Sequence, residues 1–211
     1  VLLLLVGLCV MAPPLQAARL VSVTVLDKDY VVVQISDGDI THNENPSSET
    51  ISRYTPELNT TAAVAVGSWT ITSSQDANYS GAGRQPTNAY RKTKLSGHGQ
   101  MEWTGSDFRY EYTYQHWIFL KLPSPMQQGM TYTVTLSPAV NATPTSRSVA
   151  FDIFNSRSEA VHVNLAGYAA ATDHKAADLY AWLGNGGARD YTSFEGSTVY
   201  LYNVGTGQAT P

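Results

Sequence analysis

The chain has 211 residues, a formal net charge of −4 and only 14% charged residues. That length suits one large domain or two small ones, each with a core of its own. The sparse, slightly acidic charge and the lack of any Lys/Arg run exclude nucleic acid as a partner and a basic amphipathic helix on a membrane.

Val1 to Met11 is almost wholly apolar and runs through "APPLQA" to Ala17, a small residue ahead of Ala18 and Arg19. This is the apolar region and cleavage site of a secretory signal peptide over residues 1–17, and it places the mature protein in an extracellular or periplasmic setting. About eleven apolar residues are too few to span a bilayer, which needs about twenty. A buried strand or short helix is the blander reading of the same stretch. Cys9 lies inside it, with Leu8 where a lipoprotein needs a small residue. After cleavage no cysteine remains, so disulfides, cysteine–zinc sites and a cysteine nucleophile are excluded. Sequons occur at Asn59, Asn78 and Asn141, though such triplets arise easily in a Thr- and Ser-rich chain.

From Arg19 the pattern is strand, turn, strand. "LVSVTVL" and "YVVVQIS" alternate apolar and polar residues across Asp27-Lys28-Asp29, and Asp37-Gly38-Asp39 supplies the next turn. Residues 41–61 are polar, hold Pro46 and Pro56, and read as a long loop. A strand resumes around Trp69, and the Gly-, Ser- and Asn-rich "SSQDANYSGAGRQPTNAY" reads as a second loop. "SGHGQ" around His98 reads as a loop too. "FRYEYTYQHWIFLKL", Phe108 to Leu122, is the longest strand candidate. Tyr132 then opens a Thr/Val strand after a Pro-rich link and a Gly turn. This resembles the corner of immunoglobulin-like sandwiches, where the Tyr hydroxyl bonds back to the upstream backbone. "RSVAFDIF" closes the first β-sandwich, residues 19–157. The fold expected is all-β: an immunoglobulin-like β-sandwich followed by a second, incomplete one.

That second unit, residues 160–211, begins after the polar "NSRSE". Val161 and Val163 alternate into Asn164, Gly167 and Tyr168; "KAADLYAWL" supplies a strand or short helix; Asn185-Gly186-Gly187 is a turn; "TVYLYNV" alternates before Gly205. Three strands cannot close a sandwich, so further strands are expected downstream. The run Val-x-Val-Asn-x-x-Gly-Tyr, Lys175-Ala176-Ala177 and "VYLYNVGTG" resembles the immunoglobulin-like module that precedes the catalytic barrel of family nine glycoside hydrolases, the cellulase type. Leu165 stands where that family has Gln, and no Pro follows Tyr168. The resemblance covers about a quarter of the chain. It implies the non-catalytic front of a secreted enzyme degrading β-glucan or cellulose-type polysaccharide, bracing a downstream catalytic domain of the same chain. The acid and base carboxylates of that family sit in the barrel, so no catalytic residue carries over.

The residues themselves add one candidate surface. Period two puts Phe108, Tyr110, Tyr112, Tyr114, His116, Ile118 and Leu120 on one face of their strand, with Arg109, Glu111, Thr113, Gln115, Trp117 and Phe119 on the other. Sugar rings stack on flat exposed aromatics, and the candidate glycan-binding residues are Trp103, Tyr110, Tyr112, Tyr114 and Trp117. The same pattern also builds cross-strand aromatic ladders. Asp27 and Asp29, or Asp37 and Asp39, could hold calcium, but turn chemistry explains both pairs and no metal or cofactor is called for. Glu102 and Glu111 form a conceivable glycosidase pair whose spacing no sequence gives. His42, His98, His116, His162 and His174 show no zinc spacing. The alternative to the hydrolase reading is a cell-surface glycan-binding or adhesion protein of repeated β-sandwich modules.

Overall fold

The computed structural model describes residues 17–38, 40–41, 52–53, 58–103, 105–169 and 171–211. The signal-peptide reading, Cys9, His42 and most of the first loop lie outside the described residues. The strands, in chain order, are β1 (Ala18–Asp27), β2 (Tyr30–Ser36), β3 (Ile40–Thr41), β4 (Ser52–Arg53), β5 (Trp69–Thr72), β6 (Asn88–Trp103) and β7 (Phe108–Lys121). They continue as β8 (Thr131–Leu136), β9 (Ala142–Thr143), β10 (Ser146–Ala150), β11 (Val161–Val163), β12 (Ala177–Leu179), β13 (Leu201–Asn203) and β14 (Gln208–Thr210). A four-residue helix, α1 (Thr60–Ala63), starts where Asn59 accepts a hydrogen bond from the Ala62 N–H. The chain is mostly β, with several antiparallel sheets and almost no helix.

A five-stranded sheet runs β6-β7-β2-β1-β9, and a three-stranded sheet runs β10-β8-β5. β1 and β2 pair antiparallel across Lys28-Asp29, setting Val23 opposite Val33 and Val25 opposite Val31. Because side chains alternate, one face of the larger sheet carries Val23, Val25, Val31, Val33, Ile35, Ile118 and Leu120. These meet Trp69, Ile71, Tyr132, Val134 and Leu136 of the smaller sheet in one apolar cluster. Trp69 is fully buried, and its indole N–H donates to the Ala63 carbonyl at 3.0 Å.

Tyr132 does what its position before a Thr/Val strand suggests. Its hydroxyl accepts from the Gln127 backbone N–H at 2.7 Å and donates to Asp76 Oδ2 at 2.7 Å. Asp76 is itself buried, and its other oxygen accepts from the Asn78 N–H. Tyr79 packs edge-on against Tyr132 at 5.3 Å and donates to the Ser124 carbonyl. Burial, with the Asp76 hydrogen bond adding to it, pushes the Tyr132 hydroxyl up to about 12.

The main correction concerns His98. Residues 97–100 are not a loop but the middle of β6, paired with β7 so that His98 faces Tyr112 and Gly99 faces Glu111. A long partner strand supplies the ladder that Gly97 and Gly99 would not favour alone, since strand propensity yields to context. "KAADLYAWL" resolves as the strand β12, and "RSVAFDIF" ends as strand β10 at Ala150.

The outer face of the larger sheet is partly covered by the chain's own later residues. Leu26, Tyr30, Val32 and Phe119 form a second apolar cluster with Ala160, Ala181 and Leu183, and Tyr90, Trp117 and Tyr191 pack at its margin. The approach is close enough to require glycine at two places. A Cβ at Gly184, where φ is +69°, would fall 2.1 Å from the Arg91 carbonyl oxygen, and one at Gly186 would fall 2.4 Å from the Tyr90 ring. Arg189 bolts the contact down. Its Nε lies 3.0 Å from Asp27 Oδ2 and its Nη2 3.0 Å from Asp29 Oδ2, while its guanidinium rests over Tyr30 and Tyr191. Burial opposes its charge, but the Asp27 hydrogen bond and the neighbouring carboxylate outweigh that.

Candidate functional site

β6 and β7 form a hairpin longer than the sheet that carries it. β2 pairs with β7 only from Tyr30 opposite Lys121 to Ser36 opposite Gln115. From Tyr114 outward, β6 is the one strand partner of β7 among the described residues of that sheet. One face of strand β7 therefore changes character along its length. Ile118 and Leu120 point into the main core, His116 is buried, and Tyr114, Tyr112 and Tyr110 emerge at 36%, 43% and 44% exposed. Consecutive members of this row stand about 6.7 Å apart along the strand, two residues of rise. Leu95 and His98, both exposed, flank the row from β6.

The root of the hairpin is fixed by a polar cluster. His116 Nε2 lies 3.1 Å from Asp37 Oδ2, and Nδ1 lies 3.2 Å from Arg91 Nη1 and 3.3 Å from Thr93 Oγ1. Asp37 Oδ1 also accepts from the Tyr114 backbone N–H at 2.6 Å. Asp37 is thus a strut between the end of β2 and the start of the tyrosine row. Its partner in the expected turn, Asp39, lies outside the described residues.

Trp117 stands apart from the tyrosines. By register and burial it belongs to the opposite face, beside Phe119 and under Lys92 and Lys94, whose Nζ atoms sit 5.8 and 5.0 Å from its ring centroid. Trp103 pairs with Phe108 at the far end of the hairpin, and its side chain lies outside the described residues. The five candidate aromatics do not build a single platform: the tyrosines make a row on one face, and Trp117 belongs to the other.

The other candidates take definite places. Asp27 Oδ1 accepts from the Asp29 N–H at 2.8 Å, and both carboxylates engage Arg189. Glu102 lies opposite Arg109 and Glu111 opposite Gly99. His162 stacks on Tyr180 at 3.7 Å, and His174 is exposed. Asn59 caps α1, and Asn141 takes the left-handed conformation at φ 58°. Among the described residues no three His, Cys, Asp or Glu side chains gather as a metal site. No protein family, curated protein or solved structure matches the chain.

Sequence reasoning missed Arg189, Asp76 and the Asp37–His116 contact. Each joins positions far apart in the chain, and only the Tyr132 half of one pair carries a local signature. Asp27, Asp29 and Asp37 stood out as turn formers and as candidate calcium ligands, not as partners of Arg189 and His116.

Proposed function

We propose that this chain is the non-catalytic front of a secreted glycoside hydrolase of the cellulase type: an immunoglobulin-like β-sandwich, then part of a second, which braces a downstream catalytic domain. The observation that carries the reading is the apolar character of the later strands. Among the described residues, β11 pairs only with β12 and β13 only with β14. Val161, Val163, Leu165, Leu179, Trp182, Val199, Leu201 and Val204 are all exposed there. Two-stranded sheets are marginal alone, and grouped exposed apolar side chains mark surfaces made for contact. The resemblance over residues 161–211 supplies the partner.

Leu165→Ser combined with Leu201→Ser, made in the full-length secreted protein, tests the reading. Each Leu that a neighbour covers contributes about 1.5–3 kcal/mol. The catalytic domain should therefore melt several degrees lower in the variant, with its turnover per folded molecule unchanged. Identical melting of the two proteins would reject the bracing role.

The reading as a glycan-binding or adhesion protein has its own support in the exposed row Tyr110, Tyr112 and Tyr114. Both readings share glycan contact. They part on whether apolar strands 161–211 cover a catalytic domain or another β module.

A further inference from the structure

The outer face of the five-stranded sheet is partly covered by the later residues that pack on Leu26, Tyr30 and Phe119, and a groove of about 350 Å³ opens on the same face around Trp117. Its lining includes Ser22, Thr24, Gln34, Trp117, Arg157 and Glu159. We propose that this groove binds an acidic oligosaccharide, one bearing uronic-acid carboxylates. The proposal rests on the glycan-contact part of the preceding reading and is independent of the bracing part.

Three features of the groove support it. Its floor is the half-buried Trp117 indole beside Val32, an apolar strip against which the C–H face of a pyranose can lie. Its polar side chains are already oriented. Ser22 Oγ donates to Gln34 Oε1 at 3.3 Å, and Gln34 Nε2 donates to Gln115 Oε1 at 2.7 Å. This row of hydroxyl and amide groups crosses three strands and offers donors and acceptors at fixed positions, as sugar hydroxyls require.

Charge selects among sugars. Lys92 is spoken for, with Nζ 3.5 Å from Glu159 Oε1. Arg157 and Lys94 have no carboxylate partner among the described residues. Lys94 lies over the Trp117 ring, and Arg157 lines the groove. One cation in the groove and a second over the ring of its floor, neither with a carboxylate partner among the described residues, stand on a protein whose net charge is −4. A neutral glucan leaves both cations unanswered. A uronate carboxylate can accept a forked pair of hydrogen bonds from the Arg157 guanidinium or a single one from Lys94.

Titration calorimetry of the full chain with short oligogalacturonates, against cello-oligosaccharides of equal length, tests this. The acidic ligand should bind at least about tenfold more tightly and weaken as salt rises. Lys94→Gln with Arg157→Gln, both at exposed positions, should remove about tenfold or more of that affinity without altering the melting temperature. Trp117→Phe, which keeps packing against Phe119, should weaken binding of the same ligand. Equal affinity for the two ligands, or acidic-ligand binding indifferent to the double substitution, would overturn the proposal. Cello-oligosaccharide binding that survives these changes but vanishes in Tyr112→Ala would move glycan contact to the tyrosine row and reject the groove. No binding of any glycan would reject both sites and leave the bracing role to its own test.

Discussion

Arg189→Ala is expected to lower the free energy of unfolding by about 3–5 kcal/mol, the cost of leaving a buried ion-pair partner uncompensated. The Arg189 side chain is 10% exposed and that of Asp27 only 7%, so water cannot replace what is lost. The guanidinium makes two ion pairs in a fork and lies over two aromatic rings. Arg189→Lys keeps the charge but neither the fork nor the stacking, and should recover only a minor part of the loss. Tyr191→Phe at the same spot is the control. Its hydroxyl is buried near Asp27 but makes no hydrogen bond of good geometry among the described residues, so removing it should be neutral within about 0.5 kcal/mol or slightly stabilising. Urea unfolding of the three variants separates these outcomes. A small effect of Arg189→Ala would mean that Ala181, Leu183 and the two close-packed glycines hold the segment without it.

Tyr132→Phe should cost about 2–4 kcal/mol, because one hydroxyl serves both the Gln127 N–H and the buried Asp76 carboxylate. Asp76→Ala should cost a similar amount. The double variant should fall short of their sum by about 1–3 kcal/mol, since the two residues share one network. A pH signature accompanies this. The folded-state pKa of Tyr132 is raised from 10.0 to about 12. The associated stability is therefore complete below about pH 10 and is lost as pH rises through 12. Tyr132→Phe should be destabilised at neutral and acid pH by its full cost and lose no further stability from this group between about pH 10 and 12. Strict additivity of the single costs would show the hydroxyl–carboxylate bond to be incidental.

These two sites also show where sequence is readable. The β1–β2 hairpin was legible because alternation and an Asp-rich turn agree, and strand β7 because its period-two pattern runs for fourteen residues. Tyr132 was legible because a turn and a strand flank it. β6 was not, since Gly97 and Gly99 imitate a loop and only the facing strand corrects the impression. Arg189 could not be read at all: its partners lie 162 and 160 residues earlier, and nothing local distinguishes it from an exposed arginine. The aromatic candidates fell between these cases. Alternation separated Tyr110, Tyr112 and Tyr114 from Trp117, yet the cover on the Trp117 face comes from Ala160, Ala181, Leu183 and Tyr191, far along the chain.

Hydrogen exchange on the secreted full-length protein tests the proposed role most directly. If β11 to β14 rest against a catalytic domain, their amides should be protected to nearly the level of β1 and β2, and protection should drop when Leu165 and Leu201 become Ser. Exchange of residues 161–163, 177–179 and 201–203 at the rate of unstructured peptide, with β1 and β2 still protected, would contradict it.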